Sequence, residues 1–345
     1  MTNPRDTGRS KDSSRTQAAD LRLDSVSLAD VQTLLVAWFQ REGRELPWRR
    51  TRDPWRILVA EVMLQQIQVA RAIPFWERFL DVFPTPASLA EAPLSAAIRV
   101  WGDLGRYRRV ADLHRTACLI VVDHRGQVPG DPAVLRTLPG IGPYTAGAIS
   151  CFAFERDASF VDTNIRRVLH RLFVGVHVPA AVVSPRTIGA IAADVLPHGR
   201  SWLWNQALMD LGATICTARK PSCDRCPVSA HCSARPEVAS ALAAVNTARR
   251  QATSTSTARY EGTNRYYRGR VLERLRSVPT EDDNRGLRLS ELGAGLRTDF
   301  SSGEHLPWIR GVVESLEKDG LAVAEERPFY DVEGRPDDLV VKLPD

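Results

Sequence analysis

The sequence predicts a mainly α-helical protein that carries a small α+β unit at its C-terminal end. Three observations lead there. From about Leu28 to Gly212 the apolar residues recur with helical spacing, and strand-like alternation is scarce over the same stretch. From Thr263 onward, three helical patterns are followed by two strand-like segments.

Taken in order, residues 1–25 are polar and lack the apolar core of a secretory signal, which reads as a disordered tail. Residues 26–232 form the helical domain. "VQTLLVAWF" opens it, "ILVAEVMLQQIQVA" follows with Gln65 and Gln66 as a polar pair on its helix, and "RTIGAIAADVL" comes late. Between such runs, "DVFPTPAS" and "GQVPGDPA" place Pro and Gly where helices must stop, so the helices are short and many. Residues 233–262 are rich in Ala, Ser, Thr and Arg, with no aromatic before Tyr260, and read as a linker with some helical propensity. In 263–345, "RYYRGRVLERLRS", "LSELGAGLR" and "LPWIRGVVESLEKDG" precede "LAVAEERPFY" and "DDLVVKLP", the order of a winged helix. No fixed-period repeat is present.

With 345 residues, 43% of them hydrophobic, the chain is long enough for two or three domains and at least one substantial core. The formal net charge of +5 is modest, but basic residues gather in "RYRRVADLHR" and "NIRRVLHRL". Such runs suit a polyanion partner or a solvated helix face. No run of about eighteen apolar residues suggests a membrane span, so the expected protein is soluble and cytoplasmic. Of six cysteines, Cys118 and Cys151 sit in apolar runs and read as buried thiols, whereas the other four fall between Cys216 and Cys232. In a cytosolic chain that clustering points to a metal site before disulfides.

Two motifs carry chemistry. Gly140-Ile141-Gly142 precedes a helix-forming run, and successive backbone N–H groups at such a turn can hold an anion. The loop continues as Pro143-Tyr144-Thr145 with no lysine, which excludes a nucleotide P-loop; the stretch before it looks helical, which excludes a dinucleotide fingerprint. Two readings stay open: a helix–helix turn with glycine at a cap, or a helix-hairpin-helix gripping a DNA phosphate. The second motif is Cys216, Cys223, Cys226 and Cys232, spaced C-x6-C-x2-C-x5-C. The long first gap fits zinc knuckles poorly and a four-thiolate iron–sulfur cluster better. Arg219, Lys220 and Arg225 within it can offset thiolate charge or meet a phosphate.

Together, "LPGIGPYTAGAI", "VDTNIRRVLHR" and the cysteine loop resemble the helix-hairpin-helix DNA glycosylase superfamily that includes endonuclease III. "LPWRRTRDPWRILVAEVMLQQIQVA" and "WNQALMDLGATIC" resemble MutY-type adenine-DNA glycosylases in particular, over about Leu28 to Cys232. The resemblance implies a helix-hairpin-helix glycosylase fold, a [4Fe-4S] cluster on the four cysteines, and a double-stranded DNA partner with a mismatched or damaged base pair, met by a monomer at the nucleoid. It implies that Glu61 protonates adenine N7 and then acts as general base, while Asp162 stabilises the cationic sugar. An acid among the apolar residues of "VAEVML" is expected to be desolvated, as a general acid requires. Tyr144 and Asn164 match positions that orient the site, and Gln65 and Gln66 match the wedge and opposite-base contacts. Gly140 and Gly142 match the phosphate-binding hairpin, and Arg106, Arg108 and Arg109 are candidates for backbone phosphates.

One inference leans less on the resemblance. Glycosylases that also cut the strand use an amine to form a Schiff base, yet no lysine occurs between Lys11 and Lys220, and Tyr144 stands where endonuclease III has one. The expected enzyme is monofunctional. Three departures bear on the opposite base: Ile67 replaces a usual threonine, Arg106 replaces an intercalating aromatic, and the winged-helix-like unit stands where the family has a damaged-base-reading domain. The alternatives are a thymine or uracil mismatch glycosylase and a non-catalytic DNA-binding protein on the same fold. The pair Gln65-Gln66 speaks for adenine, and Glu61 with Asp162 speaks for an enzyme.

Overall fold

The computed structural model describes residues 25–176, 183–252, 260–279, 286–325 and 339–345. The helices of its first half are α1 (Ser25–Glu42), α2 (Pro54–Leu64), α3 (Val69–Val82), α4 (Pro86–Ala90), α5 (Leu94–Trp101), α6 (Arg108–His124) and α7 (Pro132–Leu135). Then come α8 (Pro143–Phe154), α9 (Thr163–Phe173), α10 (Pro185–Asp194), α11 (Ser201–Asp210) and α12 (Val238–Ala252). The C-terminal part holds α13 (Asn264–Ser277), β1 (Leu287–Arg288), α14 (Leu289–Ala294), α15 (Ser302–Glu317), β2 (Val323–Glu325) and β3 (Val340–Lys342). The fold is mainly α with one small sheet, as the periodicity predicts. The polar tail falls outside the described residues except for Ser25, and so does most of the stretch between β2 and β3.

Contacts group the described residues into two compact units, one from Met1–Leu46 and Ser150–Thr255, the other from Pro47–Ile149 and Ser256–Asp345. In the first, α1 packs on α11, and α9 packs on both α10 and α11. Leu35, Ile165, Leu169 and Trp204 are fully buried there. Asp210, 1% exposed, closes the end of α11 by accepting from the Arg44 backbone N–H at 2.8 Å and from its guanidinium Nη2 at 2.6 Å. Beyond Asp210 the helix does not stop but widens into a π turn, Leu211–Ile215, which delivers Cys216. The segment read as a linker contains α12, whose Val238 and Leu242 pack with Ala234 beside Cys223 and Cys232.

In the second unit, Asp53 starts α2 by accepting from the N–H groups of Trp55 and Arg56, with Pro54 at the first helical position. Eight residues of α2 are then buried, Trp55 and Ile57–Met63, so this helix is core on nearly every side. It packs on α3 and α6, and α6 receives α4 and α5. The helix expected to run through Gln65 and Gln66 ends at Leu64. Gln66 takes a left-handed backbone, φ 59°, and Ile67 N–H donates back to Leu64 at 3.3 Å, so the pair lies in a tight turn before α3. A non-glycine residue in that region is strained, and such strain concentrates at functional sites.

The C-terminal elements belong to this second unit. Helix α13 packs on α15 and on α5, and α14 packs on α15. The sheet has the order β1-β3-β2, antiparallel throughout, with Val341 facing both Leu287 and Ala324. Among the described residues no helix is long and apolar enough to cross a membrane.

Gly212, in the π turn, is required by close approach. A Cβ there would stand 2.8 Å from the Asn164 Cβ on α9. Gly212→Ala is therefore expected to lower the unfolding free energy by about 1–3 kcal/mol through overpacking, read from the denaturant midpoint. An unchanged midpoint would show that α9 and the π turn can part.

Candidate functional site

Helix α9 organises the functional residues of the first unit. Asp162 is its N-cap: Oδ1 accepts from the Ile165 N–H at 2.6 Å, and Oδ2 accepts from Asn164 Nδ2 at 3.0 Å. The structure thus shows the helix-cap reading of Asp162. Burial raises its pKa above the ordinary aspartate value, and the bonds from Ile165 and Asn164 act against that rise. Asn164 Oδ1 in turn accepts from Arg167 Nη2 at 2.9 Å. The same guanidinium reaches the carbonyls of Gly212 and Cys216, both at 2.7 Å. One turn further on, Arg171 is 2% exposed and donates to the Thr217 and Ala218 carbonyls and to the Cys216 sulfur.

This corrects the reading of "NIRRVLHRL". Arg167 and Arg171 are neither a solvated face nor a polyanion patch; their guanidinium groups turn inward and replace the missing partners of loop carbonyls. Sequence inspection missed them because their partners lie 45–49 residues away along the chain. The available signal was the helical spacing of four between them, on the same face as Asn164.

The cysteine loop folds back onto the same helix. Ser233 and Ala234 N–H groups donate to the carbonyls of Leu172 and Arg171. All four clustered cysteines line one cavity of about 340 Å³, with Arg171, Ile215 and Val238 among its walls. Burial pushes the Cys226 thiol up to about 12 and raises Cys223 and Cys232 as well. Thiols in this setting give up their protons only to a strongly positive partner. Of the other cysteines, Cys151 is buried as expected and Cys118 only partly so. Arg219, Lys220 and Arg225 remain exposed.

In the second unit, Glu61 lies on the buried side of α2 at 4% exposure, as its apolar neighbours predict. The hairpin follows α7: Gly140 has φ +72°, and a Cβ on it would press the Asp112 side chain at 3.0 Å, so both backbone and space require glycine. Gly142 faces open space and its carbonyl accepts from Ala146 N–H at 2.9 Å, starting α8. Tyr144 is half-buried in the first turn of α8. Gln65, Arg109 and Gly140 are among the residues that line a second cavity of about 250 Å³. Burial, then the like charge of Arg106, pulls the Arg109 guanidinium down to about 10. Arg106 is exposed with φ 52°, while Arg108 is 71% exposed and lies 3.8 Å from Asp319.

Comparison with known proteins settles the family. Residues 59–180 match the HhH-GPD superfamily of base excision DNA repair proteins, and residues 216–232 match the iron–sulfur binding domain of endonuclease III. The adenine DNA glycosylase of Mycolicibacterium smegmatis is 39% identical over 294 residues, spanning 85% of this chain and 95% of its own length. The chain belongs to the adenine DNA glycosylase family. The Mycobacterium tuberculosis member of that family is 42% identical over 252 residues, 71% of this chain and 78% of its own. Among solved structures, a thermostable thymine-DNA glycosylase superposes with a TM-score of 0.58 at 28% identity, covering 61% of this chain and 98% of its own. Endonuclease III in a trapped covalent complex with DNA, at 23% identity and a TM-score of 0.54, shares the fold.

For this glycosylase the cysteine loop is an iron–sulfur binding domain, and the [4Fe-4S] cofactor expected from its spacing fits the cavity. Purified protein is expected to absorb broadly in the visible, and Cys226→Ser and Arg171→Met to lose that absorbance with their iron. Stoichiometric zinc without iron would contradict this assignment.

Proposed function

We propose that this glycosylase hydrolyses the N-glycosidic bond of adenine mispaired with guanine or 8-oxoguanine in duplex DNA, and does not cleave the strand. The observation that carries the reading is a carboxyl drawn out of water in each unit. Glu61 is buried within α2, and Asp162, also desolvated, is held by two hydrogen bonds at the head of α9. Breaking a glycosidic bond calls for one carboxyl as acid and one as anion.

In this proposal Glu61 gives its proton to adenine N7 as the bond from C1′ to N9 breaks, and the bonding pair leaves with the base. The sugar is left as an oxocarbenium ion, and the Asp162 carboxylate stabilises it. Water then adds at C1′, and Glu61, now a carboxylate, takes the proton. Asn164 keeps one Asp162 oxygen in position. Tyr144 stands where an amine would divert the cation into a Schiff base, and residues 12–219 contain no lysine.

Gln65 and Gln66, in their strained turn, are suited to fill the gap left by an extruded base and to touch its former partner. The N–H groups of the Gly140–Gly142 hairpin hold a backbone phosphate, and Arg106 and Arg108 meet others. Cys216, Cys223, Cys226 and Cys232 would hold the cluster, which when bound supplies iron–thiolate bonds that fix the loop. Excision transfers no electrons. The protein acts as a monomer, in the cytoplasm and at the nucleoid.

The 28% identity to a thymine-DNA glycosylase favours a second reading, removal of thymine or uracil opposite guanine. Duplexes carrying A opposite 8-oxoG, A opposite G, T opposite G and U opposite G separate the two; excision of T without A would replace the first by the second. Glu61→Gln and Asp162→Asn are each expected to cut single-turnover adenine excision by at least about 10²-fold. Borohydride should trap little or no covalent adduct, and efficient trapping would refute the monofunctional assignment.

The pH dependence follows from Asp162. It acts ionised, and burial raises its pKa, so the rate should rise with pH through an acid limb above the ordinary aspartate value of about 3.9. A limb at or below that value would show that Asp162 is not the titrating group.

A further inference from the structure

The C-terminal elements are poor candidates for a DNA-binding module. From Thr263 to Asp345 the chain carries 13 Lys and Arg against 17 Asp and Glu, whereas residues 1–262 carry 33 against 24. A segment of net negative charge is repelled by the phosphate backbone. Within their own compact unit these elements contact α5 and the turn between α5 and α6.

That turn, Gly102–Tyr107, is built from unusual backbone. Gly102, Gly105 and Arg106 have φ of 61°, 79° and 52°. Only the glycines adopt such angles without strain, so Arg106 must be held there by its surroundings. On one side the turn is held from the helical core: Trp101 Nε1 donates to the Gly105 carbonyl at 2.9 Å, and Arg71 Nη2 donates to the Asp103 carbonyl at 2.6 Å. On the other side stands α13. The Arg276 guanidinium lies over the Tyr107 ring, 5.4 Å from its centroid. Tyr107 is 9% exposed, so this is a sheltered contact. A Cβ on Gly102 would reach Arg276 Nη1 at 3.8 Å, which places the same guanidinium against the start of the turn. Arg99 on α5 donates to the Arg276 carbonyl, and the Ser95 N–H donates to the Pro344 carbonyl at 2.9 Å. Asp319, bonded by Arg268, lies beside Arg108. Arg106 thus immediately precedes two residues that the C-terminal elements contact, and is itself left exposed.

We infer that the C-terminal unit is an intramolecular brace for this turn, and that Arg276 is a positioning residue: through Tyr107 it fixes how Arg106 is presented to the base or strand opposite the excised adenine. The first half of this inference stands on contacts alone; the second rests on the proposed function. Arg108–Asp319 is a surface pair and adds little of its own. The sheltered Arg276–Tyr107 contact is the main tie.

Two measurements on the full chain test the halves separately. Hydrogen exchange reads the brace: in Arg276→Ala, amides of residues 102–107 should exchange faster while those of α2 are unchanged, and unaltered protection of the turn would overturn it. A double-mutant cycle reads the consequence. Arg276→Ala should slow single-turnover adenine excision roughly tenfold and narrow the preference between opposite bases, yet slow it less than about twofold in an Arg106→Ala background. Equal slowing in both backgrounds would remove the link to Arg106. The salt dependence of duplex binding should keep its slope in Arg276→Ala; a slope shallower by about one would make Arg276 a direct phosphate contact instead. Should Arg276→Ala not fold, Arg276→Met keeps an apolar stem and loses the cation over the ring, and turn exchange equal to wild type would again count against the brace. Wild-type protein that excises no adenine would sink the proposed function while leaving the exchange result to decide the brace.

Discussion

Arg167 spreads one guanidinium over three acceptors: the Asn164 side chain, the Gly212 carbonyl and the Cys216 carbonyl. Much of the first unit depends on that arrangement. Asn164 holds an oxygen of Asp162, so the orientation of the carboxylate is tied to the backbone that begins the cysteine loop. Gly212 must be glycine for α9 to come close enough, and Arg171 repeats the clamp one turn on, with its whole guanidinium out of water. Burying such charge is costly, and carbonyls left over at a helix end offset it: Arg171 Nη1 and Nη2 both meet loop carbonyls, while its Nε is buried without a partner. The loop and the acid are parts of one hydrogen-bonded structure.

That coupling gives the iron–sulfur domain a role in a reaction that moves no electrons. If the loop loosens, Arg167 loses two acceptors and Asn164 loses its anchor before anything touches the carboxylate. The loop is held by its cysteines at one end and by α12 at the other, where Ala234, Val238 and Leu242 pack against Cys223 and Cys232. On the proposed mechanism, a metal centre here fastens the backbone to which Asp162 is tied.

How much of this was legible in the sequence depended on the range of the interaction. The short helices, the glycine hairpin, the cysteine spacing and the buried acid of "VAEVML" are local patterns, and each was readable. Gln65 and Gln66 were misplaced onto a helix because side-chain spacing continues smoothly across a break that only the backbone of Gln66 reveals. The basic run "NIRRVLHRL" was misread for a different reason: a guanidinium in water and one facing a carbonyl 45 residues away look alike in sequence. The order of the C-terminal elements was also readable, but their attachment to α5 was not, since Arg99, Tyr107 and Arg276 carry no signal until the chain is folded.

The π turn at Leu211–Ile215 has a consequence for how this loop can vary. Such a turn is an α-helix with one residue added, and each residue of an α-helix turns the chain by about 100°. Losing that residue would rewind α11 into regular helix and swing Cys216 away from the cavity, even with all four cysteines present and correctly ordered. The winding change ends at Ile215, one residue before the first ligand and ahead of the six-residue gap. The length of 211–215 therefore sets an angle as well as a distance, and a deletion or insertion there acts as a rotation of the first ligand.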